Sequence, residues 1–162
     1  MSKIKLSISL LISFFIFSCT SNNINHLHQK YSLAYIGGEY DGLLLKNYLI
    51  SSLKNLDVYN QNSNLEIQAH INHSANLFIT NIDNTSDREK ITTDLSVKIF
   101  NKQSNCNVFN DEISVSQFYI YASSDKFLSN QTAIKKIKKS NTESLVRKFI
   151  HQLKNIDNQC AE

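Results

Sequence analysis

Proline and tryptophan are absent from this 162-residue chain, and glycine occurs three times. Without proline, collagen-like and proline-rich architectures are excluded, and so little glycine leaves neither a flexible linker nor a phosphate-cradling loop. Charge is sparse too, at 19% of residues, with 17 basic against 14 acidic side chains, while 41% of residues are hydrophobic. That composition suits one ordinary globular unit. Also missing are a GxSxG elbow, HExxH and CxxC, so no catalytic residue is assigned. His26 and His28 stand two apart in a polar stretch without neighbouring ligands, so neither a metal nor a cofactor is expected.

What is present is unevenly distributed. Leu6 to Ser18 is a run of 13 uncharged residues behind Lys3 and Lys5. It reads as a targeting segment, too short for a membrane span of roughly 20 helical residues. The run ends in Ile16-Phe17-Ser18-Cys19, which resembles a bacterial lipobox; an ordinary secreted protein is the alternative. In a lipobox the cysteine thiol takes the diacylglycerol, so Cys19 is the expected lipidation site and palmitate-type acylation the expected modification. Thr20, where inner-membrane retention commonly calls for Asp, points to an outer-membrane anchor facing the periplasm. The expected division is residues 1–18 signal peptide, 19–30 lipidated tether and 31–162 a single domain.

Removing residues 1–18 takes two lysines away and leaves 15 basic and 14 acidic residues, a charge of about +1, over 144 positions. There is no electrostatic case for nucleic acid. Cys106 and Cys160 survive maturation in an oxidising compartment, so one bridge is open to them. The competing reading leaves Cys160 free in a frayed tail, 157–162.

Tyr31 to Ile36 reads as a strand stopped by Gly37-Gly38. Asp41 stands as an N-cap before a helix over 41–56, whose apolar face carries Leu45, Tyr48, Leu49, Ser52, Leu53 and Leu56. After the loop 60–64, Leu65, Ile67, Ala69 and Ile71 alternate with polar residues, and Leu77 to Thr80 prolongs that strand. Asn81 to Lys90 is expected as a turn. Ile91, Thr93, Leu95, Val97 and Ile99 then mark a buried strand face against Thr92, Asp94, Ser96, Lys98 and Phe100. A turn over 101–107 and a strand over 112–122 complete a meander. Ile134, Ile137, Asn141, Leu145, Phe149, Leu153 and Ile156 trace a helical stripe within 128–156. The predicted fold class is α+β, a two-layer sandwich with one mostly antiparallel sheet of about four strands and two helices on one face, in the order strand, helix, three strands, helix.

A lipobox followed by these elements resembles the LptE family of lipopolysaccharide-assembly lipoproteins over nearly the whole mature chain. The stretch from Arg88 through Ile91 to Phe100 and on to Tyr121-Ala122-Ser123 carries the likeness most directly. The resemblance implies a non-enzymatic outer-membrane protein that sits in the lumen of the β-barrel translocon LptD, helps it assemble and contacts lipopolysaccharide. Basic sheet residues serve that contact in the family, which by strand placement implies Lys98 and Lys102. An auxiliary lipid-binding lipoprotein of an envelope ABC-type lipid transport system is the alternative.

Three clusters remain. Asp83, Asp87 and Glu89 beside Arg88 and Lys90 read as a solvated mixed-charge turn. Lys135, Lys136, Lys138 and Lys139 are attractive for anionic lipid, yet Ile134 and Ile137 pointing inward predict that they fan over the solvated side. Phe100, Phe118, Tyr119 and Tyr121 are expected to divide between core and a barrel-facing surface.

Overall fold

The computed structural model of the chain describes residues 29–79, 86–120, 126–156 and Cys160. Its elements are β1 (Tyr31–Gly37), α1 (Glu39–Asn55), β2 (Leu65–Ile79), β3 (Ser86–Asn101), β4 (Cys106–Ile120) and α2 (Phe127–Gln152), with a 3-10 turn at Leu153–Asn155. The strands form one sheet in the order β1-β2-β3-β4. Both helices pack on one face of it, and the fold is α+β.

The sheet is mixed where a mostly antiparallel one was expected. β2, β3 and β4 form antiparallel neighbours, but β1 runs parallel to β2, pairing Tyr31 with Leu65 and Gly37 with His70. The cause is connectivity: α1 carries the chain back along the sheet, so the strands on either side of it start from the same end.

Alternation places the core. Leu65, Ile67, Ala69 and Ile71 of β2 and Ile91, Thr93, Leu95, Val97 and Ile99 of β3 are buried beneath Leu45, Leu49 and Leu53 of α1 and Leu145, Val146 and Phe149 of α2. Leu153 of the 3-10 turn closes one end, and Phe109 meets Phe149 at a ring separation of 6.1 Å. Leu56, expected on the apolar face, lies beyond α1 and is exposed.

Several boundaries differ from the sequence reading. Asp41 is not the N-cap of α1; Gly38 is, at φ 116°. A side chain there would be strained, and its Cβ would fall 2.5 Å from Ile71 Cγ2. β3 begins at Ser86, inside the stretch expected as a turn, and β4 begins at Cys106, six residues before the expected 112. The charged residues at 88–90 are paired as strand on both sides, and the start of β4 lies under α2, where Phe109 meets Phe149 and Asp111 accepts from Gln152 Nε2 at 2.8 Å. Tyr121, Ala122 and Ser123 lie outside the described residues. No helix among the described residues is long and apolar enough to cross a membrane.

Candidate functional site

The face of the sheet away from the helices is polar along most of its length. Glu66, Gln68 and His70 of β2, Ser96 and Lys98 of β3, and Glu112 and Ser114 of β4 stand on it through strand alternation. Thr92 and Ser116 share a hydroxyl hydrogen bond of 3.0 Å across it. Lys98 is exposed there. Lys102 belongs to the β3–β4 turn and pairs with Glu66 at 3.4 Å, so the two lysines named by the family resemblance occupy a strand and a turn, not one cluster. Toward the opposite end of the sheet the surface turns apolar, with Phe118 and Ile120 exposed and the Lys90 ammonium 5.9 Å from the Phe118 ring. Phe100 is half-buried on this face, whereas Tyr119 points to the helix side and donates to Glu89. Asp83 and Tyr121 lie outside the described residues, as do Cys19, His26 and His28.

Under the helices lies a polar cluster that no local pattern announces. The Asn141 amide donates to Thr93 Oγ1 at 3.0 Å and, more distantly, to the Ile91 carbonyl at 3.4 Å. Thr93 Oγ1 lies 2.8 Å from His73 Nδ1, and His73 Nε2 lies 3.4 Å from Asp41 Oδ2. A ring proton on Nε2 suits this arrangement, because a bare lone pair there would face a carboxylate. Lys138 reaches the same carboxylate at 3.8 Å. Burial of the His73 ring, 5% exposed, pushes its pKa below the ordinary 6.5; Lys138 acts the same way, while Asp41 and Asp94 oppose it. The cluster thus links α1, β2, β3 and α2 through one neutral imidazole. Thr93 is fully buried, so its hydroxyl braces the layers and is not presented to a substrate. Among the described residues no group of three or more His, Cys, Asp or Glu is placed to hold a metal ion.

Beside this cluster a groove of about 280 Å³ runs between the helices, lined by Tyr40, Asp41, Leu43, Leu44, Asn47, Lys135, Lys138 and Lys139. Lys135, Lys136 and Lys139 are exposed, as expected of a solvated face, but they do not share one side: Lys135, Lys138 and Lys139 line the groove toward α1, and Lys136 lies beside Leu128, Ser129, Thr132 and Ala133. The stripe of Ile134 and Ile137 is only half-buried, which leaves α2 rotated enough to share its lysines.

Cys106, at the start of β4, is joined to Cys160 with a Cα–Cα distance of 5.8 Å. The bond returns the chain after α2 to the β3–β4 turn.

No protein-family model matches the sequence, and neither does any curated protein. Solved structures do resemble it. The rare lipoprotein B of Shewanella oneidensis superposes with a TM-score of 0.65 at 9% identity, over 78% of this chain and 95% of that one. A minor lipoprotein of Acinetobacter baumannii gives 0.58 at 16% identity over 78% and 91%. Uncharacterized lipoprotein B of Nitrosomonas europaea gives 0.58 at 12% identity over 78% and 82%. At these identities the likeness establishes the fold, and the chain shares its helix-backed sheet with bacterial lipoproteins.

Proposed function

We propose that this chain is a non-enzymatic outer-membrane lipoprotein of the LptE kind, anchored through Cys19 and facing the periplasm. In this reading it docks in the β-barrel translocon LptD, assists its assembly and contributes to delivery of lipopolysaccharide, with Lys98 and Lys102 as contacts. The observation that carries it is the division of the sheet, one face sealed by helices and the other polar and open. The lumen of an outer-membrane barrel is itself polar, so the polar length of that face can be accommodated there. The solved lipoproteins of the same fold lend support.

A second reading, an auxiliary lipid-binding lipoprotein of an ABC-type envelope transporter, is favoured by the lysine-lined groove. Affinity purification of the tagged mature lipoprotein from detergent extracts separates them. A large β-barrel in stoichiometric amount is the expected result; an inner-membrane transport complex in its place overturns the first reading.

A further inference from the structure

The groove between α1 and α2 brings charge and apolar surface together. Lys135, Lys138 and Lys139 face a single lining carboxylate, Asp41, which Lys138 and His73 already approach. None of the ion pairs among the described residues includes Lys135 or Lys139. Positions 135, 138 and 139 share one face of α2, a spacing at which like charges repel. An anion between them relieves that repulsion. On the α1 side Tyr40 is 76% and Leu43 57% exposed, a large apolar surface left beside a cationic one.

Size narrows the occupant. Ligand pockets commonly run from about 300 to 1,000 Å³, so this groove takes one head group and part of one chain, not a lipid with several chains. We infer that the α1–α2 groove binds a single-chain anionic amphiphile, its phosphate held by Lys135 and Lys139 and its acyl chain laid along Leu43 and Tyr40. The site is distinct from Lys98, which lies on the opposite face of the sheet. It rests on the envelope-lipoprotein reading only in placing the protein among lipids.

The test is calorimetric titration of the mature lipidated protein in phosphatidylcholine nanodiscs, with empty discs subtracted. Octanoyl lysophosphatidic acid is expected to bind saturably. Octanoyl lysophosphatidylcholine and glycerol 3-phosphate are expected to bind at least tenfold more weakly. The double variant Lys135→Gln/Lys139→Gln, with its melting temperature retained, should lose at least tenfold in affinity, and Lys136→Gln should lose nothing. Undiminished affinity in the double variant overturns the assignment. So does equal binding of glycerol 3-phosphate, which marks a free-phosphate site, or of the zwitterionic lipid, which marks an apolar cleft alone. A protein that binds lysophosphatidic acid but brings down no barrel refutes the translocon reading and leaves the groove standing.

Discussion

At the scale of single residues, His73 stores a pH dependence. Its folded pKa lies below the unfolded 6.5, so the unfolded chain takes up the proton first. Stability is therefore full above pH 6.5 and falls as pH drops from there toward the folded value. Urea midpoints at pH 7.5 and 5.5 should differ more for the wild type than for His73→Gln; identical slopes would remove His73 as the source. Leu95 and Lys98 give a sharper contrast, one fully buried and one exposed on the same strand. Leu95→Asp places an unpaired charge in the core and should cost more than about 4 kcal/mol, enough to unfold a small domain. Lys98→Glu should leave the melting temperature within roughly 2 °C, corresponding to the ±0.5 kcal/mol of a surface change, and weaken lipopolysaccharide binding. Equal binding by the reversed variant makes Lys98 a solvated strand residue. His73 and Thr93 fall in the same odd register as Ile71 and Leu95, the one signal that marks them as buried. Their partners on the helices, Asp41 and Asn141, are 32 and 48 positions away, so the cluster itself was not legible: it requires knowing that α1 and α2 meet over the sheet.

At the scale of elements, period-two alternation exposed the faces of β2 and β3 residue by residue, because one side of each strand meets helices and the other meets water. The same signal fades where the strands outrun that cover. There Arg88, Glu89 and Lys90 stand opposite Ile120, Tyr119 and Phe118, and a charged run of that kind resembles a turn. The chain beyond α2 is tied back covalently at Cys160. The Cys106–Cys160 bond closes 54 positions, for which the chain-entropy model gives about 4 kcal/mol. Cys160→Ser should lower unfolding free energy by up to that amount without changing the fold. Alkylation with and without prior reduction, read by mass spectrometry, checks the bond directly: modification of both thiols without reductant returns Cys160 to a free tail.

At the scale of the molecule, the start of β1 and the apolar end of the sheet lie apart. Tyr31, Leu65, Asn101 and Cys106 share one row of the sheet, at the end where β1 begins. Leu77, Phe118 and Ile120 stand near the other end. The 15 residues of β2 span roughly 45 Å between those ends at about 3.3 Å per residue. Cys19→Ala is expected to leave an unprocessed precursor or release the protein from membranes, read by fractionation and labelled-palmitate uptake; retention with undiminished labelling removes the lipidation site. The parallel pairing of β1 with β2 has a mechanical consequence. A pull on a tether entering at Tyr31, directed along the strand while the far end is held, loads the hydrogen bonds from Tyr31 to Gly37 in shear, all together. Had β1 been pulled sideways, the same bonds would open one at a time like a zip. The geometry that α1 imposes thus makes β1, the strand that follows the proposed anchor in sequence, well placed to bear tension.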